Sequence, residues 1–204
     1  MTILESQIID CAREDERVRA ELAQSEELFG AYAPRMEEVH VRNATVLEAV
    51  IAQMGWPVSQ NEEVMNAAKL IILHAISLPS FQKRMLELLK SSEHGYPDQF
   101  SAYLEDRILV FSGKQQKYGT QFDWNANGML SPYPIADAEH VNERRAAVGL
   151  DSLEAATQRM RRRAAEEGEL PPADMNAYTI RRLEWMMRVG WTGDTSDNRL
   201  CAVS

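Results

Sequence analysis

Residues 102–122 read AYLEDRILVFSGKQQKYGTQF, and the fold turns on how this stretch divides. A helix that starts after Asp98, a good N-cap residue preceded by Pro97, sets Phe100, Leu104, Ile108 and Phe111 on one apolar stripe at helical spacing, with Tyr103 and Val110 on its flank. Arg107 falls inside that stripe and Asp106 at its edge. A guanidinium directed at a core needs a carboxylate or several acceptors, because an unpaired buried charge is costly. Gly113 ends the helix as a C′ residue does. Beyond it, Gln115, Gln116, Lys117, Tyr118, Gly119, Thr120 and Gln121 carry too many amides for a core and too few charges for an ordinary surface. The runs Tyr118 to Trp124 and Met129 to Ile135 flank Asn127-Gly128, the strongest short hairpin signal in the chain. The expectation is a β-hairpin, about residues 117–135, folded back on a helical body.

Outward from this stretch the chain reads as helices. Residues 3–29 carry Leu4, Ile8, Cys11, Val18, Leu22 and Phe29 at helical spacing, and Gly30 and Pro34 break the run. Residues 43–54 form a second helix, with Asn43 as cap, Thr45 and Glu48 as a capping box, and Gly55 and Pro57 as the stop. Asn61 opens a third that is apolar nearly all round, so His74 is expected to be mostly buried beside Leu70 and Ile71. Pro79 starts the next, which turns Phe81, Met85, Leu88 and Leu89 inward and leaves Gln82 off the centre of its stripe. Residues 91–97 read as a loop. After the hairpin, Asp137 caps a short helix to Arg145, Asp151 or Ser152 caps residues 151–167, and a last helix spans about 174–189. The fold class is therefore mainly α, a multi-helix bundle with one β-hairpin packed on it. Residues 1–168 are expected to form the helical domain, and 169–204 a linker, helix and tail.

Composition bounds the function. At 204 residues the chain is long enough to bury most of its apolar surface, and 45% hydrophobic with 26% charged residues is the balance of an ordered globular protein. A net charge of −9 argues against nucleic-acid binding, which relies on neutralising phosphates. No apolar run reaches about 18 residues, so no transmembrane segment is expected, and no N-terminal signal is visible. Cys11 and Cys201 lie near opposite ends and make no ligand spacing, which fits a reducing cytoplasm. His40, His74, His94 and His140 are scattered, none one helical turn from another. His140 and Glu143 form H-x-x-E on a polar segment. No metal and no cofactor is expected, since metals need three or four convergent ligands. Glycine-rich phosphate loops and a G-x-S-x-G serine elbow are absent.

Asp106-Arg107, Gln115 and Tyr118-Gly119-Thr120-Gln121, together with Gly55-Trp56-Pro57, His74-Ala75, Phe81-Gln82, Arg144-Arg145 and Val148-Gly149-Leu150, resemble the signature of an uncharacterised family of bacterial proteins, a domain of unknown function. The resemblance begins at Asp15 and Arg19 and covers about residues 15–155. It implies a shared fold and a shared site, with no established activity. In that pattern a glutamine usually precedes the histidine, whereas Leu73 stands there in this chain.

What remains is a polar constellation of His74, Gln82, Asp106, Arg107, Gln115, Tyr118, Thr120 and Gln121. Read as structure, it fixes the hairpin to the bundle by a hydrogen-bonded network. Read as a pocket, Arg107 clamps an anionic group by bidentate bonds, and Gln82, Gln115, Tyr118, Thr120 and Gln121 complete the ligand-binding set. His74, oriented by Asp106 or Tyr118, is then a general acid or base, which makes His74 and Asp106 the catalytic candidates. That is a metal-independent hydrolase or lyase acting on an anionic small molecule or peptide. One alternative is a non-enzymatic helical binding or adaptor module whose acidic surface meets a protein partner. Another is a secreted bacterial effector: the terminal Cys201-Ala202-Val203-Ser204 matches a C-a-a-X box, and prenylation at Cys201 inside a host cell would draw the protein to host membranes.

Overall fold

The computed structural model describes residues 1–25, 32–91 and 96–191. Among them the chain forms α1 (Ile3–Gln24), α2 (Pro34–Met54), α3 (Glu62–His74), α4 (Pro79–Ser91), α5 (Gln99–Phe111), β1 (Phe122–Trp124), β2 (Leu130–Pro132), α6 (Val141–Ala147), α7 (Leu153–Glu166) and α8 (Met175–Val189). The fold is mainly α with one antiparallel hairpin. No helix among the described residues is long and apolar enough to cross a membrane. The chain divides into two compact units, Met1–Tyr96 and Pro97–Ser204.

In the first unit α1 packs on both α2 and α3. A capping box between Thr2 and Glu5 starts α1, and its buried face runs Ile8, Asp15, Val18 and Leu22. The sevenfold interval from Ile8 through Asp15 to Leu22 thus sets a carboxylate within an apolar stripe. Val18 and Leu22 join Ala33, Met36 and Val39 of the α2 segment in one core cluster. α2 begins at Pro34, nine residues before the expected start at Asn43. Pro34 opens the helix because the missing N–H of a first-turn proline is not needed there. Asn43 is consequently a mid-helix residue, buried, and its Nδ2 donates to Cys11 O at 2.8 Å. Thr45 turns its hydroxyl back to Val41 O, and Glu48 pairs with Arg84 of α4, so neither residue caps. Asn61 does cap α3, accepting from Glu63 N at 2.9 Å. Phe29 and Gly30, expected near the end of the first helix, lie outside the described residues.

The second unit is organised by α5 and the segment after it. Asp98 and Ser101 form a reciprocal cap at its start, and Gly113, at φ +72°, follows its C-cap. The strands pair Phe122 with Pro132, Asp123 with Ser131 and Trp124 with Leu130. The turn around Asn127-Gly128 is longer than a two-residue hairpin loop. Asn125 N donates to Met129 O at 3.0 Å, and Asn125 Oδ1 accepts from Asn127 N and Met129 N, so the loop runs through Asn125–Met129.

The strands are shorter than the expected runs because residues 116–121 leave the ladder to wrap a buried carboxylate. Asp106 Oδ1 accepts from Lys117 N at 2.6 Å and Tyr118 N at 3.0 Å, while Oδ2 accepts from Thr120 N and Thr120 Oγ1, both at 2.9 Å. The Gln116 side chain, fully buried, donates to Gln121 O and Tyr133 O and accepts from Gln121 N. Arg145, also buried, holds the outside of the same turn through Tyr118 O at 2.6 Å and Asp151 O at 2.6 Å. Gly119, at φ +71°, passes so close to its neighbours that a Cβ there would meet Leu153 Cδ1 at 2.7 Å.

Next along the chain, Asp137 takes a left-handed conformation and makes no side-chain cap. Its carboxylate instead accepts from His140 Nδ1 at 2.8 Å and pairs with Arg144. α7 is capped by Ser152, α8 by Asp174. Asp123 anchors α8 to the hairpin by accepting from Tyr178 and Tyr133 hydroxyls, and Trp191 stacks on Phe111 at 5.3 Å.

Two outcomes test this architecture. Asp106→Ala strands three backbone amides in the interior and is expected to lower the unfolding free energy by roughly 3–5 kcal/mol in urea melts, whereas Gln115→Ala, at an exposed position, changes it by less than about 0.5 kcal/mol. The Asp137 carboxylate raises the His140 pKa above 6.5, first by its hydrogen bond and then by its charge, and is itself held below 3.8, first by that bond. Their mutual support is present above the ordinary carboxylate value and below 6.5, and fades as pH rises through the His140 pKa or falls through that of Asp137. NMR titration should find the His140 value elevated in the native chain and back near 6.5 in Asp137→Asn.

Candidate functional site

Three helices of the first unit bring Asp15, His40 and His74 together, and their ligating atoms all lie within 4.8 Å of one another. Each arrives by ordinary helix periodicity. Asp15 occupies the core stripe of α1. On α2 the buried positions Met36, His40, Asn43, Leu47 and Val50 alternate intervals of four and three, and His40 is one of them. His74 is the last residue of α3.

The centre of the group is Asp15 Oδ2. His74 Nδ1 donates to it at 2.9 Å, and His40 Nε2 stands 3.0 Å from the same oxygen. The two contacts differ in kind: His40 Nε2 is off line for a hydrogen bond and has no bonded partner, and Asp15 Oδ1 has none either. The Tyr32 hydroxyl bonds the far side of the His40 ring at Nδ1 and the two rings stack at 5.7 Å, while His40 and His74 meet with ring centroids 5.1 Å apart. The Asp15 side chain is only 1% exposed, that of His40 8% and that of His74 33%. A buried carboxylate flanked by imidazoles thus opens to solvent on one side, at His74. Burial pushes the Asp15 carboxyl pKa up, but the contacts from His40 and His74 and their charge outweigh it and hold the group well below the usual carboxylate range. Asp15 therefore stays ionised inside an apolar helix face.

The residues expected to form a site divide between the two units. In the first, His74 finds its carboxylate in Asp15, and Gln82, wholly buried, donates Nε2 to Ile72 O at 2.9 Å and Leu73 O at 3.3 Å, satisfying carbonyls in the last turn of α3. In the second, Asp106 has both oxygens engaged by Lys117, Tyr118 and Thr120, so Thr120 contributes its hydroxyl and its amide to that knot and Tyr118 its amide. Arg107 is half-buried and donates Nε to Gln121 Oε1 at 3.2 Å, and Gln121 Nε2 reaches Thr120 Oγ1 at 3.1 Å. Gln115 is exposed, and the interior amide is its neighbour Gln116. Cys201 lies outside the described residues.

Asp15 and His40 were not among the expected site residues. The readable signal was spacing: Asp15 sits four residues after Cys11 and three before Val18, inside the stripe, and His40 joins a stripe once α2 is allowed to start at Pro34. A histidine pair one turn apart on a single helix was the wrong template, because these groups come from three helices.

A second polar cluster bears comparison. Asp123, Tyr133, Tyr178 and Arg182 line a cavity of about 240 Å³ between the hairpin and α8. Burial, ahead of every other influence, drives both phenol pKa values up, so the hydroxyls stay protonated and donate to Asp123. Trp124 N donates to Asp123 Oδ1, and the Arg182 guanidinium lies over the Tyr133 ring at 5.0 Å. Every Asp123 oxygen is occupied by the fold, which makes this a clamp. The Asp15 group, with a buried oxygen to spare, is the stronger candidate.

No curated protein and no solved structure matches the chain. One family model does, over most of its length and across every residue of the Asp15, His40 and His74 group. The chain belongs to a family of unknown function (DUF6624), whose model matches residues 7–165.

Proposed function

We propose that the protein is a hydrolase whose reacting centre is the Asp15, His40 and His74 group of the first unit. The observation that carries this reading is the hydrogen bond from His74 Nδ1 to a buried, ionised Asp15 on a side chain one-third open to water. An imidazole whose Nδ1–H is held by a carboxylate keeps its lone pair at Nε2, and the carboxylate stabilises the imidazolium that forms when a proton is taken. The chemistry balances for hydrolysis: Nε2 takes a proton from water, the hydroxide adds to an acyl or phosphoryl centre, and the leaving oxygen departs with the proton from the imidazolium. Gln82 supports the centre indirectly, by tying off carbonyls in the last turn of α3 and so holding the helix end that carries His74. Asp106 and Gln116 belong to the architecture of the second unit, and the expected orienting role of Asp106 passes to Asp15.

The test uses chromogenic esters. Purified protein should hydrolyse at least one of p-nitrophenyl acetate, p-nitrophenyl phosphate and bis-p-nitrophenyl phosphate, and His74→Ala should lower kcat/KM by about 10²–10⁴, the ordinary contribution of a positioned acid–base group. Asp15→Asn should lower it as well, and Gln115→Ala should leave it unchanged. A folded His74→Ala protein with full turnover, or a native protein that hydrolyses none of the three, overturns the reading.

A further inference from the structure

Two buried atoms in this centre do nothing in the acid–base reading. Asp15 Oδ1 has no hydrogen-bond partner, and His40 Nε2, although 3.0 Å from Asp15 Oδ2, is not aligned to donate to it. A buried polar atom without a hydrogen bond is costly, and Asp15 Oδ1 and His40 Nε2, both orphaned at one centre, call for a common partner. We infer that Asp15, His40 and His74 form a mononuclear site for a divalent first-row transition-metal ion, with an Asp15 carboxylate oxygen, His40 Nε2 and His74 Nδ1 as its protein ligands. The inference rests on the reading of this group as the reacting centre and names what that centre holds.

The donor set selects the ion. Two imidazole nitrogens and one carboxylate oxygen suit Zn²⁺ or Fe²⁺, whereas Ca²⁺ and Mg²⁺ take oxygen ligands and thiolate-seeking ions find none here. The 2.9 Å and 3.0 Å separations equal the edge of an octahedral ion with bonds of about 2.0–2.2 Å, and a tetrahedral ion asks the groups to part by only a few tenths of an ångström. The surrounding residues match as well. Tyr32 bonds His40 at Nδ1, which fixes the ring and leaves Nε2 as the ligating edge, and such outer partners commonly orient metal-bound histidines. The exposed side of His74 leaves coordination positions for water, as catalytic sites keep and closed structural sites do not. With His74 Nδ1 bound to an ion the ring proton would sit at Nε2, so the ion would take over from the imidazole the task of making water nucleophilic.

Tag-free protein stripped with a chelator should take up one equivalent of Zn²⁺ by calorimetry, and Co²⁺ should give the visible bands of a nitrogen–oxygen site. Affinity for either ion should fall by more than about 100-fold in His40→Ala and in His74→Ala, and by about 10–100-fold in Tyr32→Phe, with far-UV circular dichroism unchanged. The native chain supplies a measurement that needs no variant: Zn²⁺ should shift the ring ¹⁵N signals of His40 and His74 and leave those of His140 in place. Absence of one-to-one uptake, uptake that survives the His40→Ala and His74→Ala double substitution, or unmoved His40 and His74 signals would overturn the inference. Ester turnover that depends on His74, persists in chelator and comes with no ion uptake removes the ion and keeps the hydrolase. Ion uptake at these residues without turnover of any ester keeps the ion and removes the hydrolase.

Discussion

A carboxylate withdrawn from water must be met by donors, and each unit of this protein turns on one such group. Asp15 in the first and Asp106 in the second are both almost wholly sealed, and both sit on a buried helix face shared with apolar residues, Ile8, Val18 and Leu22 for the one and Ala102 and Val110 for the other. Their solutions differ. Asp106 is matched by backbone amides and one hydroxyl, so it dictates the path of residues 116–121 and has no capacity left over. Asp15 is matched by two imidazoles that contact one of its oxygens and leave the other bare. A buried carboxylate saturated by main chain organises structure. One faced by titratable or ligating side chains, with an acceptor in reserve, is a candidate for chemistry.

Around these groups the rest of the architecture follows from local rules. α2 supplies both the core residues Met36 and Val39 and the histidine that meets Asp15, so one helix carries core packing and a member of the candidate site. In the second unit Arg145 is buried against carbonyls of Tyr118, Gly119 and Asp151, and the polar knot of Asp106, Gln116 and Arg145 replaces a longer β-ladder.

The helical class, the hairpin, the α5 cap at Asp98 and the stop at Gly113 were all legible, because each is written in a few adjacent residues. The start of α2 was not. Asn43 and Thr45 spell a convincing cap, and only tertiary contact with the Cys11 carbonyl tells Asn43 to stay within the helix. That shift of nine residues hid His40. Periodicity set Arg107 among the phenylalanines and Asp106 at the edge, yet Asp106 is the fully buried member and Arg107 half-exposed, since the segment after Gly113 offers amides to a carboxylate. Choosing Gln115 over Gln116 was a matter of one residue in an irregular turn, where no period exists to decide which amide points inward. His74 was legible as a mostly buried histidine, though its side chain is one-third exposed, and its partner was not legible, since Asp15 lies 59 residues away along the chain.

The last helix has a consequence for the family at large. The family match ends at residue 165, and α8 begins ten residues later, yet α8 and the Trp191 just after it cover aromatic surface that belongs to the shared region: Trp185 and Trp191 lie against Phe111, and Arg182 over Tyr133. Members that stop where the match stops would leave those ring faces wet, and so should carry polar or smaller side chains there or recruit some other cover. Large aromatics at the positions of Phe111 and Tyr133, with an acid at that of Asp123, are thus a fingerprint by which members bearing such an extension can be sorted from those without it.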